Sequence, residues 1–198
     1  MVGAVLLDRF AAITRRRTLR RGDAVFRRDE PVRQLHIVVA GEIRLLRYAA
    51  DGRPVVLQVA GPEEVLAEAS VFAERYQCDA LAETLAQVAA LPIAPLRAAL
   101  ADEPALSQAY LRHLAEQTMA LRTALELRNI LRADERIRAA LAMRADRSGV
   151  AGIRPPLKAW AAELGLSHEV LYRTLKDLER TGEIERSENG IRLLRRTL

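Results

Sequence analysis

Pro155-Pro156-Leu157-Lys158-Ala159-Trp160-Ala161-Ala162-Glu163-Leu164-Gly165-Leu166-Ser167-His168-Glu169-Val170-Leu171-Tyr172-Arg173-Thr174-Leu175-Lys176-Asp177-Leu178-Glu179-Arg180 is the stretch whose reading decides the fold. Leu157, Trp160, Ala161 and Leu164 recur at the three-and-four spacing of one buried helical face. Two prolines ahead of them suit an entry or first-turn position, where a missing N–H costs nothing. Gly165 can take the left-handed conformation that ends a helix. Ser167 can then cap a second helix, with Glu169 in its first turn complementing the positive end of the dipole. Leu171, Thr174, Leu175 and Leu178 face inward on that helix, and His168, Glu169, Tyr172, Arg173 and Lys176 face out. Two short helices joined by a glycine turn, the second with a polar outer face, make a helix-turn-helix.

A helical hairpin with a solvated charged face would fit those residues equally well. The segment that follows decides between the two. Thr181-Gly182 closes the helix, and Glu183-Ile184-Glu185-Arg186 alternates like a half-buried strand. Ser187-Glu188-Asn189-Gly190 carries an Asn-Gly hairpin signal, and Ile191-Arg192-Leu193-Leu194 starts the return. A hairpin directly after the second helix is the wing of a winged helix-turn-helix.

A chain of 198 residues has room for one large domain or two small ones. The net charge of +5 permits a polyanionic partner without requiring one. Its single cysteine excludes an internal disulfide framework and any cluster built on several thiolates. The apolar run Val2 to Leu7 breaks at Asp8-Arg9, too soon for a signal-peptide core or a membrane span, so a cytoplasmic protein without a membrane partner is expected.

Residues Val2 to Ile13 read as a short amphipathic helix. Arg15-Arg16-Arg17 and Arg20-Arg21 then read as an exposed charged loop, with phosphate contact as the alternative, ahead of the Gly22-Asp23 turn. From Ala24 to Pro92 the pattern changes to short strands. These are Ala24 to Arg27, Leu35 to Val39, Ile43 to Tyr48 and Val55 to Val59, with turns at Asp29-Glu30-Pro31, Gly41, Asp51-Gly52 and Gly61-Pro62. Regular short strands with glycine turns point to a sandwich or barrel. Pro95 to Leu100 is a short helix. A long one runs from about Ala105 to Leu131 without internal Gly or Pro, roughly 40 Å at 1.5 Å per residue. Its stripe Leu111, Leu114, Thr118, Leu121, Leu125 has coiled-coil spacing. Such a stripe can pack on its own β domain or on an identical helix, and the length of the rod favours the two-fold dimer. Asp134 to Arg144 is a further helix.

The order of these parts, together with specific residues, resembles the Crp/Fnr family of bacterial transcription regulators across essentially the whole chain. The likeness rests on Leu35-His36-Ile37-Val38-Val39-Ala40-Gly41-Glu42-Ile43, on Val65-Leu66-Ala67-Glu68-Ala69-Ser70-Val71-Phe72, and on Ala161 to Leu175. It implies an α+β chain of three parts. Residues 1–103 would be an effector-sensing double-stranded β-roll of jelly-roll type, 104–132 the dimerisation helix, and 133–198 a winged helix-turn-helix that binds DNA. The implied partners are a palindromic DNA duplex, a second copy of the chain, a small-molecule effector and RNA polymerase. Effector binding would change how the long helices pack and so the spacing of the recognition helices.

The family usually reads bases with three side chains early in the recognition helix, often Arg, Glu and Arg. The matching positions are His168, Glu169 and Arg173. Arg173 can donate two hydrogen bonds to guanine, and Glu169 can accept from a cytosine amino group. His168 departs from the usual Arg, which puts the outermost guanine contact in doubt. Ser167 and Lys176 are better placed for phosphate.

Cyclic-nucleotide binders of the family carry Gly-Glu and then Arg-Ser about ten residues on, the Glu holding ribose and the Arg and Ser the phosphate. Here the effector-pocket candidates are Glu68, Cys78 and Asp79: the pairs are Ala67-Glu68 and Cys78-Asp79. A buried carboxylate facing a cyclic phosphate is repulsive, which argues against cyclic AMP. Fnr-type oxygen sensing needs several cysteines near the N-terminus, and none is there. Cys78 remains open between a buried apolar filler and a thiol that ligates haem or copper or is oxidised. His36 has no assignable partner. No cofactor can be named, no metal ligands are nominated, and no nucleophile–base pair or phosphate loop suggests an enzyme. Two alternatives to a DNA-binding regulator stand: a haem-, metal- or redox-responsive regulator using Cys78, and a ligand-binding module acting through protein contacts.

Overall fold

The short apolar runs in the first half of the chain, such as Leu35 to Val39 and Val88 to Leu91, build two facing sheets in a computed structural model described for residues 2–153, 157–188 and 190–194. The chain divides into two compact units, Met1–Gln117 and Thr118–Leu198.

In the first unit α1 (Val2–Arg9) precedes strands β1 (Arg15–Leu19), β2 (Ala24–Phe26), β3 (Gln34–Ala40), β4 (Ile43–Tyr48), β5 (Pro54–Ala60) and β6 (Val65–Leu66). A 3-10 turn at Glu68–Phe72 leads to β7 (Asp79–Ala82), β8 (Ala86–Pro92) and α2 (Ile93–Asp102). The strands form two antiparallel four-stranded sheets, ordered β1-β8-β3-β6 and β2-β7-β4-β5. Leu35, Ile37, Val38, Ile43, Leu45, Ala80, Val88 and Leu91 fill the core between them. Gly41 has φ +76°, and a Cβ there would overlap the Leu85 carbonyl oxygen, so only glycine turns the chain from β3 into β4. Gly61 has no such requirement.

Two expectations need correction here. The N-terminal helix stops at Arg9 rather than Ile13; the chain beyond it turns, and the Thr14 hydroxyl donates to the Phe10 carbonyl at 2.8 Å. Arg15-Arg16-Arg17 is not loop but β1, an edge strand paired along its whole length with β8. Its only buried residue is Leu19, so no apolar alternation announces it. Charge on an edge strand hinders pairing with a second molecule, which suits arginine at that place.

The long helix α3 (Pro104–Asn129) begins in this unit. Leu106, Tyr110 and Leu114 pack on the β core, the last only partly buried.

The second unit holds the end of α3, α4 (Ala133–Arg144), β9 (Val150–Ala151), α5 (Lys158–Glu163), α6 (His168–Arg180), β10 (Ile184–Ser187) and β11 (Gly190–Leu193). The three strands pair in the order β10-β11-β9. Leu157, Trp160, Ala161 and Leu164 are buried against Leu171, Leu175 and Leu178, as the helical periodicity requires. Ile137, Leu141, Ile184, Ile191 and Leu127 complete the core. Arg138 bridges Asp134 at 2.7 Å and Glu183 at 2.8 Å, tying α4 to the segment that enters β10. Pro155 and Pro156 of the expected helix entry and Asn189 of the expected hairpin turn lie outside the described residues.

Candidate nucleic-acid interface and effector domain

Ser167 starts α6 in extended conformation (φ −70°, ψ 151°), and its hydroxyl oxygen accepts the Val170 N–H at 3.2 Å. The preceding Gly165 lies at φ +65°, the left-handed turn that lets α5 stop and α6 leave at a new angle. Burial of Leu171, Leu175 and Leu178 then rotates the other side of the helix into solvent. His168, Glu169, Arg173 and Lys176 are exposed there, Tyr172 is half-buried, and Thr174 turns its hydroxyl back to the Val170 carbonyl at 2.8 Å. Among the described residues, neither Arg173 nor Lys176 has a carboxylate partner.

The outer face is more than a row of separate side chains. The His168 ring sits 4.3 Å from the Tyr172 ring, centre to centre. On the same tyrosine lies the Arg186 guanidinium of β10, 5.9 Å from the ring centre. Arg186 is exposed and was missed as a site residue, because strict alternation puts it on the side of the buried Ile184 and not on the outward side with Glu183 and Glu185. Only the pairing of the hairpin with α6 brings it to the polar face.

A cleft of about 310 Å³ opens beside α6, lined by Asp134, Arg138, Asp177 and Glu183 among others. Its one arginine is committed to two of those carboxylates. The third acid, Asp177, pairs with Arg180 at 3.6 Å, so three carboxylates line the cleft and its one arginine is not free for a phosphate.

In the first unit Glu68, Cys78 and Asp79 fall on neighbouring elements, but the three are occupied differently. Glu68 opens the 3-10 turn, follows Ala67 in the left-handed conformation, and offers its backbone carbonyl to the Tyr110 hydroxyl at 2.9 Å. Asp79 is buried, and its carboxylate accepts the Arg28 N–H at 2.7 Å with Arg27 Nη1 at 3.5 Å. That carboxylate therefore holds β2 against β7. Cys78 is buried, and burial pushes its thiol pKa up; Arg47 opposes the shift while Asp79 and Glu68 add to it. A sensing or metal-binding thiol needs the opposite shift. Among the described residues no three His, Cys, Asp or Glu side chains gather as metal ligands.

His36 lies buried beside Phe26 and Tyr76, with ring centres 5.5 Å and 6.3 Å away. Burial, with Arg17 adding, lowers its pKa to about 4. It is a neutral core residue at ordinary pH.

Of the dimer candidates, Leu111, Leu121 and Leu125 are exposed, each by more than 60%. Leu114 is turned toward the β core, and Thr118 lies on the exposed side of α3. At 3.6 residues per turn Leu121 and Leu125 continue the face of Tyr110 and the partly buried Leu114 further along α3, whereas Leu111 is turned to its side.

Residues 16–103 match the model of the cyclic nucleotide-binding domain. Over 99 residues the chain is 34% identical to a "CRP-like cAMP-activated global transcriptional regulator" of Mycobacterium tuberculosis, a match covering 49% of this chain and 44% of that protein. The chain thus matches less than half the length of that curated relative. Among solved structures, FixK2 from Bradyrhizobium japonicum superposes with a TM-score of 0.67 at 19% identity, covering 93% of this chain and 94% of that one. The c-di-GMP responsive regulator CLP of Xanthomonas campestris gives 0.64 at 22% identity, covering 96% and 98%. Likeness of this kind establishes the fold. No helix among the described residues is long and apolar enough to cross a membrane.

Proposed function

We propose that the chain is a regulator of the Crp/Fnr type: a homodimeric, sequence-specific DNA-binding transcription regulator. The observation that carries this reading is the outer face of α6. Arg173 and Lys176 stand exposed there without a described carboxylate partner, beside Glu169 and the His168–Tyr172–Arg186 cluster. A merely solvated face would spread its cations among carboxylates, as the α4 surface does with Arg132, Asp134 and Glu135.

In this reading α6 enters the major groove. Arg173 donates two hydrogen bonds to a guanine and Glu169 accepts from a cytosine amino group. Ser167 and Lys176 hold phosphates, which sets position rather than sequence. His168 and Tyr172 make the aromatic part of the surface, their rings tilted at 46° to each other, and Arg186 supplies a cation from the wing. The exposed leucines Leu111, Leu121 and Leu125, with Thr118, pair α3 with α3 of a second copy. Two-fold symmetry then places two recognition helices on half-sites one helical turn apart, ~34 Å centre to centre.

The β-roll is the effector module of this reading, and its ligand is not cyclic AMP. The thiol of Cys78 and the carboxylate of Asp79 stand where the resemblance expects a phosphate-holding pair, and neither supplies a cation. Asp79 is already engaged by Arg27 and Arg28.

The test is selection of bound duplexes from a random pool by the full chain, with and without a thiol oxidant. A palindromic site with half-sites one turn apart supports the reading. Retention of duplexes with no sequence preference, by a monomeric protein, overturns it. A preference altered by the oxidant would bring Cys78 back as a sensor.

A further inference from the structure

The end of the long helix and the turn that aims the recognition helix belong to the same unit, and arginines connect them. Arg136, in the first turns of α4, is half-buried. Its Nε and Nη2 donate to the Ile130 carbonyl at 2.9 Å and 2.6 Å, and its Nη1 donates to the Leu164 carbonyl at 2.9 Å. Ile130 is the first residue past the end of α3, and Leu164 caps the end of α5. Both are helix C-termini, where carbonyls lose their in-helix donors and the dipole is negative. One planar guanidinium therefore caps two helices at once, a geometry that a point-like ammonium cannot reproduce.

The neighbourhood of this contact has the same character. Arg128, in the last turn of α3, reaches the Ala162 carbonyl at 3.5 Å. Its stem lies across the α5–α6 turn, with Nε 3.5 Å from where a Gly165 Cβ would stand. Leu127 is 3% exposed within the core of the DNA-reading unit. Only Ile130, Leu131 and Arg132 separate α3 from α4. A connection that short would act as a hinge if nothing held it.

We infer that Arg136 is a positioning residue: it fixes the helix-turn-helix to the end of α3 and so sets the spacing at which the two halves of a dimer read DNA. The inference rests on the proposed function, because it needs two symmetry-related α6 helices and a half-site. It assigns Arg136 no contact with DNA.

The experiment uses the full chain as wild type, Arg136→Ala and Arg136→Lys. Each is titrated against duplexes carrying the selected half-site once, or twice at one helical turn and at separations one base pair shorter and longer. For Arg136→Ala the expected result is a loss of roughly tenfold on the optimally spaced duplex, about the worth of one charge-assisted hydrogen bond. The preference among separations should flatten, and affinity for the single half-site should stay at the wild-type value. Arg136→Lys should recover part of the spacing preference. An equal loss on single and paired half-sites would mark a general loss of folded protein and overturn the inference. An unchanged order of preference among the separations would also overturn it. If wild type itself selects no half-site, it is the DNA-reading premise that has failed.

Discussion

The two ends of the molecule treat charge in opposite ways. On the outer face of α6, Arg173 and Lys176 are left to solvent. Around Cys78 in the β-roll, Asp79 is buried and bound, and the 3-10 turn at Glu68 is fastened to α3 by Tyr110 and to α2 by Arg97, whose Nε donates to the Val71 carbonyl at 2.6 Å. Exposed cations without partners lose little on meeting phosphate, whereas a buried ion must surrender a bonded partner to meet a ligand. The contrast teaches that the proposed DNA-reading face would be ready as it stands. The β-roll, the proposed effector module, would have to rearrange around Asp79 to accept an anion.

The largest expected effect tests the ready end. Arg173→Ala should cost about 1–3 kcal/mol at each of two half-sites, and discrimination should relax at one base position. Competition binding against single-base variants of the selected operator reads both effects. A uniform loss over all variants would reassign Arg173 to phosphate and weaken the contrast.

At the other end, His36 makes the β-roll sensitive to acid. Its folded pKa of about 4 lies below the ordinary value of 6.5, so the unfolded chain binds the proton more readily. Stability is therefore full above pH 6.5 and falls as pH drops toward 4, by about 3 kcal/mol at most for the 2.5-unit gap. Urea unfolding at pH 7 and near pH 4 should show this slope in wild type and a shallower one in His36→Leu. Parallel slopes would mean that the ring is solvated rather than held in the core.

Asp79→Asn should lower the stability of the β-roll to urea by about 1–3 kcal/mol, because the buried carboxylate's ion pair with Arg27 is lost. It should leave cyclic AMP binding undetectable by calorimetry. Recovery of nucleotide binding in this variant would show that the carboxylate alone had closed the pocket. The smallest effect is expected at the wing. Arg186→Ala should weaken binding evenly across sequences and reduce the salt slope by about one counterion. An unchanged slope would leave Arg186 as packing on Tyr172.

Much of the reading end was legible because its signals are local. Leu157 to Leu178 follow one helical period, Ser167 caps through its own neighbour, and Gly165 needs a conformation that few other residues take. The β-roll was legible only in outline. β1 consists of three arginines, a threonine and a leucine, and it is a strand because β8 supplies the partner. Glu68, Cys78 and Asp79 were found by resemblance, yet the role of Asp79 depends on Arg27 and Arg28, some fifty residues earlier in the chain.

By itself the sequence determined the succession of a β-rich part, a long helix and a winged helix-turn-helix, and which face of α6 meets solvent. Periodicity, caps and turn residues act over a few positions and can be read without coordinates. Only the tertiary structure decided that Leu114 turns toward the β core, that Arg186 reaches Tyr172, and that Arg136 joins the ends of two helices. Those outcomes depend on which surfaces meet after the chain has folded, and a side chain's spacing along the sequence does not encode a partner far away from it.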